Sequence, residues 1–143
     1  MHARSTTTEP WTLATEPQHY LGIVTAMKIR ESMRNYTLSL NQETVASGLP
    51  MVRPMVLAFP NDVQCAGEDV EDQWMFGPTY LVGPVLSFQA LNRSVYLPKL
   101  DTGRWVSFFS GEDLGGGGGR ITVDTRNITE FPLFVRTTSP LTP

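Results

Sequence analysis

Residues Val52 to Leu86 constrain this chain more than any other stretch. An apolar run ends at Phe59-Pro60. An acidic loop follows, with Glu68, Asp69, Glu71 and Asp72, and Gln73-Trp74-Met75-Phe76-Gly77 then leads into a second apolar run, Tyr80 to Leu86. Met51 to Phe59 holds a single charge, Arg53. A run this continuously apolar suits a buried parallel strand better than an alternating surface strand. Pro54 has no N–H to give to a ladder, so it belongs near the start of that strand.

A helix precedes this strand. Thr15-Glu16-Pro17-Gln18 fits a capping box, with Thr15 as N-cap and Gln18 reaching back to it. Pro17 falls in the first turn, where its missing N–H costs little. Ser47-Gly48, followed by Pro50, marks the stop. Between these ends run two apolar stripes. Tyr20, Ile23, Val24 and Met27 form one, and Ile29, Met33, Tyr36 and Leu40 form the other. The change of side near Met27 predicts a bend, or a helix with different neighbours along its two halves. Residues 1–14 are polar, show no period and read as a loop.

After Asn61–Gly67, a loop, Glu68–Phe76 reads as a short helix. The pattern then changes. Tyr80–Leu86, Val95–Leu97, Trp105–Phe109, Ile121–Val123 and Leu133–Val135 are short runs rich in β-branched and aromatic residues, separated by Gly, Pro, Asn and Asp. That is the pattern of an antiparallel sheet or sandwich. The boundary between the two kinds of structure falls near Gly77-Pro78.

Composition removes several function classes. A net charge of −3 with 17% charged residues leaves no basic stripe for a phosphate backbone, which argues against nucleic-acid binding. No apolar run approaches the roughly 18 residues of a membrane span, and MHARSTTTEPW lacks the apolar stretch of a signal peptide. Cys65 is the only cysteine, so no intrachain disulfide can form, and it reads as an inert loop thiol. With His2 and His19 as the two histidines, there is no clustered zinc spacing.

Other features carry weaker chemistry. Gly115–Gly119 is followed by Arg120 and a short β-like run, not by a helix or a Lys-Ser/Thr pair, so it reads as a flexible hairpin tip and not as a phosphate loop. The acidic cluster lacks the alternate-position oxygens and central Gly of a calcium loop. It reads as a solvated loop or a helix N-terminus. Trp74 and Trp105 read as core anchors, while Trp11, in a loop, could serve the core or stack on a sugar ring. Asn35-Tyr36-Thr37, Asn92-Arg93-Ser94 and Asn127-Ile128-Thr129 are glycosylation sequons, compatible with passage through the secretory pathway.

Set side by side, these segments resemble glycoside hydrolase family 31, the retaining α-glucosidases and α-xylosidases. The stretch Val52–Leu86 is similar to the family's "RPL…FP.D…DDQFM.G..LLVAPV". Met1-His2-Ala3-Arg4 and Thr8-Glu9-Pro10-Trp11 resemble the "RxH…REPW" loop after the seventh barrel strand. Ile29–Leu40 is similar to "LRYRLLPYLYTL", and Gly48–Met55 to the eighth-strand "GxPVMRPL". Tyr96-Leu97-Pro98 with Trp105–Glu112 resembles "YLP…W.DFWTGE", and Phe131–Leu141 resembles "IPLFVRAGSIIP". The matches follow the family's order. Departures include Asn35 for a helix proline, Gly83 for the Ala of "VAPV", Thr79 for a common Asp, and Thr137-Thr138 for Ala-Gly. They suggest a divergent member in which the five glycines are a loop expansion.

The resemblance implies an α/β piece followed by an all-β piece. Residues 1–77 would be the terminal helix–strand part of a (β/α) eight-stranded barrel, and residues 78–143 a small antiparallel β-sandwich. It implies a fragment of a retaining α-glycosidase cleaving α-glucosidic or α-xylosidic bonds in oligosaccharides, with no metal or organic cofactor. Retention requires two carboxyls about 5 to 5.5 Å apart. The family's nucleophile and acid are aspartates on earlier barrel strands, and neither motif occurs here, so no residue of this chain is assigned as catalytic. Asp62, Asp69 and Asp72 match the loop after the last barrel strand. His2 falls on the family's substrate-binding histidine. Arg53 reads as a buried structural ion-pair partner. The isolated chain would then be inactive and would need the N-terminal barrel. The alternative is a non-catalytic carbohydrate-binding or interaction β-module.

Overall fold

A computed structural model describes residues 17–138. Two helices, α1 (Pro17–Ser32) and α2 (Arg34–Ser47), lead into a short strand, β1 (Val52–Pro54), and a single helical turn, α3 (Met55–Ala58). Two 3-10 turns, Val63–Ala66 and Glu68–Val70, precede β2 (Trp74–Phe76), β3 (Tyr80–Val82), β4 (Asn92–Leu97), β5 (Arg104–Ser107), β6 (Gly119–Asp124) and β7 (Leu133–Thr137). The strands form a five-stranded sheet in the order β1-β2-β3-β7-β5 and a two-stranded ribbon, β4-β6. Every pairing among them is antiparallel. The described chain is thus a small antiparallel β-domain with few helices.

Register decides which face of the sheet is the core. Met75, Leu81 and Phe134 stand opposite one another across β2, β3 and β7 and are fully buried. They meet Val95, Tyr96 and Leu97 of the ribbon, together with Trp105 and Leu100, in one cluster. Trp105 has 0% exposure, and its indole N–H donates to the Pro98 carbonyl at 2.9 Å. A buried Trp needs such a partner for its one polar atom. Trp105 is thus the core anchor expected of it, whereas Trp74 is half-buried on the face opposite Met75 and lies outside this cluster. The opposite face carries Phe76 and Tyr80, which α2 covers through Tyr36. The Tyr36 ring packs edge-on against both, and its hydroxyl donates to the Phe76 carbonyl at 2.9 Å. Gly77, at φ 61°, makes that approach possible: a Cβ there would lie 2.2 Å from the Tyr36 hydroxyl.

Several local expectations are corrected. The helical region breaks at Met33, where one residue leaves the helix, and not near Met27. α1 buries no residue and α2 buries one, Leu40, so tertiary contact at Tyr36 and Leu40 sets the direction of α2. The stop is as read: Gly48 adopts a left-handed conformation (φ 77°) and its N–H closes on Thr44 O. Thr15, the expected N-cap, lies outside the described residues.

Met51–Phe59 is not one buried parallel strand. Val52–Pro54 pairs antiparallel with β2 and shows an exposed–buried–exposed pattern. Pro54 ends the pairing, and Met55–Ala58 turns helically, with Phe59 N–H bonded to Met55 O. The ring without an N–H removes the ladder donor at the point where the strand would have continued. Likewise, Glu68–Phe76 is not a helix. It is a 3-10 turn followed by β2, whose alternating burial is that of a strand. The sheet also crosses Gly77-Pro78, because β2 and β3 are a hairpin around it.

The glycine run is a packed turn and not a flexible tip. Gly115 and Gly116 carbonyls accept from Trp105 and Leu100 N–H groups at 2.8 Å, and Gly118 N–H donates to Leu97 O at 2.8 Å. Gly117, at φ 75°, sits where a Cβ would lie 2.3 Å from the Pro98 carbonyl oxygen and 2.9 Å from the Trp105 ring. Glycine is required there by space as well as by φ.

Candidate functional site

A cleft with polar lining lies where the Phe59–Val63 loop meets the ends of β4 and β7. Asp62 caps the Val63–Ala66 turn, its carboxylate accepting from Gln64 N–H at 3.1 Å. Its other oxygen accepts from the Tyr96 hydroxyl at 2.9 Å. Phe59, Asn61, Lys99, Asp101 and Arg136 join these two residues around a cleft of about 560 Å³. Phe59 is held at one wall by its tilted contact with Trp105, centroid to centroid 6.3 Å.

Two weak acids beside Asp62, Cys65 and Tyr96, are held in their neutral forms. Burial, the nearby Asp62 charge and its hydrogen bond push the Cys65 thiol up to about 12. Burial and the hydrogen bond to Asp62 push the Tyr96 phenol up to about 12 as well. A thiol so shifted has almost no thiolate at neutral pH and is a poor nucleophile, which agrees with the reading of Cys65 as inert. Asp62 therefore works as a hydrogen-bond hub between loop and ribbon. Among the described residues, no group of three His, Cys, Asp or Glu could hold a metal ion, and no helix is long and apolar enough to cross a membrane.

The acidic cluster is partly neutralised. Asp72 pairs with Arg93 on β4, and Asp69 pairs with Arg120 on β6 at 3.5 Å. These pairs tie the loop to both strands of the ribbon, so the cluster is more than a solvated loop. Arg53 is 8% exposed. It pairs with Glu43 of α2 at 2.9 Å and donates through Nε to Pro50 O at 2.9 Å, so it is the buried structural ion-pair partner expected of it. His2 lies outside the described residues. Gln73 and Tyr36 fall within segments singled out in the sequence, but their contacts with Tyr96 and Phe76 do not show there, since no short motif flags a polar group whose partner lies 23 or 40 residues away. Tyr96 was within reach, as part of Tyr96-Leu97-Pro98.

A five-stranded antiparallel sheet, with a two-stranded ribbon on one face and α2 packed on the other through Tyr36, defines a small β-domain with a helical lead-in. The chain belongs to glycoside hydrolase family 31: the model described as "Glycosyl hydrolase family 31 C-terminal domain" matches residues 48–139. An α-xylosidase of Saccharolobus solfataricus is 34% identical over 131 residues, which is 90% of this chain and 16% of that protein. The solved structure of a family 31 α-xylosidase from Xanthomonas citri is 34% identical with a TM-score of 0.81, covering 92% of this chain and 14% of that one. A family 31 dextranase from Flavobacterium johnsoniae, complexed with glucose, is 29% identical with a TM-score of 0.80, covering 92% and 15%. The chain thus spans a small fraction of the length of the relatives it matches.

Proposed function

We propose that this chain is the end of the catalytic barrel plus the proximal C-terminal sandwich of a retaining α-glycosidase. Residues 1–77 would be the barrel part and residues 78–143 the sandwich, with the β2–β3 hairpin stitching the two. The parent enzyme would hydrolyse α-glucosidic or α-xylosidic bonds in oligosaccharides. The observation that carries this reading is the family match across residues 48–139, supported by relatives that include α-xylosidases.

In such an enzyme one aspartate attacks the anomeric carbon and a second protonates the leaving oxygen. Both would come from barrel strands ahead of His2, and His2 would hydrogen-bond a sugar hydroxyl or the acid–nucleophile network. The residues of this chain then support the site from behind. Arg53–Glu43 anchors β1 to α2, and Asp62–Tyr96 holds the loop after β1 against the sandwich. The rival reading, a free sugar-binding module, calls for exposed aromatics in line along a sheet face. The row Tyr80, Phe108, Phe109, Phe131 is instead interlocked edge to face, and Phe88, 93% exposed, stands singly in a loop.

Incubation with nitrophenyl α-glucoside and α-xyloside tests the reading. The purified chain is expected to give no turnover above a heat-treated control, and turnover that survives repurification would overturn it. In an enzyme carrying the rest of the barrel, His2→Ala should lower kcat/KM by at least about tenfold, roughly 1.4 kcal/mol. Unchanged kinetics would remove His2 from the substrate site.

A further inference from the structure

The three sequons are alike in sequence and unlike in structure. N-glycosylation needs a solvent-facing Asn carboxamide with the hydroxyl of the third residue beside it. Asn127 meets both conditions. It is exposed in the connection between β6 and β7, and the Thr129 hydroxyl donates to its Oδ1 at 2.7 Å. Thr129 N–H donates to the same oxygen at 3.1 Å, and Glu130 N–H closes the turn on Asn127 O at 3.1 Å. Nδ2 is left pointing away from the backbone, with the exposed Glu130 carboxylate as its partner at 2.9 Å.

The other two are built differently. Asn35 lies in the first turn of α2, where the Thr37 hydroxyl is taken by the Met33 carbonyl at 3.0 Å. The intervening Tyr36 is locked onto the sheet. A helix keeps residues two apart on different sides, so Thr37 cannot turn to Asn35 without unwinding that turn. Asn92 begins β4, in register with Asp124 of β6, and its middle residue Arg93 is paired with Asp72. Strand backbone holds the Asn92 and Ser94 positions about 6.5 Å apart, and among the described residues no hydrogen bond joins the Ser94 hydroxyl to the Asn92 carboxamide, in contrast to the Thr129–Asn127 bond.

We propose that Asn127 is the glycan-acceptor site of this chain, with a lipid-pyrophosphate-linked oligosaccharide as donor, and that Asn35 and Asn92 are not acceptors in the folded protein. Asn127 Nδ2 forms the new bond to the anomeric carbon of the first sugar. The C–O bond to pyrophosphate breaks, its electron pair leaves with the phosphate, and Nδ2 loses one proton. The second amide hydrogen remains available to Glu130. The inference is independent of the glycosidase reading, since it rests on turn geometry alone.

The test is expression of the chain behind a secretion leader in a eukaryotic host, followed by enzymatic deglycosylation in heavy-oxygen water and peptide mapping. Heavy-oxygen aspartate is expected at position 127, with occupancy there at least several-fold above positions 35 and 92. Asn127→Gln should abolish the main mobility shift on a gel, and Asn35→Gln and Asn92→Gln should leave it. An unmodified Asn127, or equal occupancy at Asn35 and Asn127, would overturn the proposal. The occupancy ratio is read within one polypeptide, so a low yield of any variant does not obscure it.

Discussion

The Gln73 side chain satisfies the backbone of Tyr96 at both ends: its amide donates to Tyr96 O at 2.7 Å and accepts from Tyr96 N–H at 2.9 Å. Gln73 thereby acts as a strand of one residue, extending β4 on the side that β6 does not cover. It is 2% exposed, so neither backbone group has water as a substitute. Replacement by Leu leaves a buried donor and a buried acceptor unpaired. Gln73→Leu is therefore expected to cost about 1–3 kcal/mol, read as a lower urea midpoint with an unchanged slope. An unchanged midpoint would show that the clip contributes nothing.

The glycine run offers a contrast between neighbours. Gly117→Ala drives a Cβ into the Pro98 carbonyl and the Trp105 ring from a left-handed φ, and should cost more than about 1 kcal/mol. Gly116→Ala meets nothing within 4 Å and should stay within about 0.5 kcal/mol of the parent. Paired thermal or urea melts decide the matter. Equal effects would mean that the turn is not packed as described.

Stability should fall in alkali. Cys65 and Tyr96 have folded-state pKa values raised to about 12 from 9.0 and 10.0. The folded protein thus binds more protons than the unfolded chain between about pH 9 and 12, and by linkage stability declines as pH rises through that window. Below pH 9 the contribution is fully present. Urea midpoints from pH 8 to 11 should drop steadily, and the combined Cys65→Ala, Tyr96→Phe variant should flatten the drop. A drop of the same size in that variant would assign the effect to other groups.

Order should differ along the chain. α1 buries nothing and α2 only Leu40, whereas β3 and β7 lie inside the sheet with Leu81 and Phe134 at its centre. Amide exchange in the purified chain is expected to be fastest in α1 and slowest in β3 and β7, following local opening free energy. Slow exchange across Tyr20–Phe59 in a demonstrated monomer would show that this region folds unaided and would count against its assignment to a barrel.

The β half was legible because its signal is local. Val95–Leu97, Trp105–Phe109, Ile121–Val123 and Leu133–Val135 each overlap an observed strand, since β-branched and aromatic runs bounded by Gly, Pro and Asp specify extended backbone within a few residues. Gly48 marked a helix end for the same reason. Glu68–Phe76 was misread because its acidic start resembles a helix N-terminus, while the actual arrangement depends on Arg93, Arg120 and Tyr96, all far along the chain.

By itself the sequence determined family, the approximate positions of β3 to β7 and the place of Trp105 in the core, because motif order and short-range periodicity survive without knowledge of partners. Tertiary structure alone decided the strand order β1-β2-β3-β7-β5, the helix break at Met33, the wedged glycine turn and the pairing of Asp69 and Asp72 with ribbon arginines. The placement of α2 and the pairing of the acidic loop depend on groups brought together across long sequence separations, 40 residues for Tyr36 and Phe76 and 51 for Arg120 and Asp69. Local propensity carries no information about such meetings. They are selected by which buried polar atoms find partners and which surfaces close without a void.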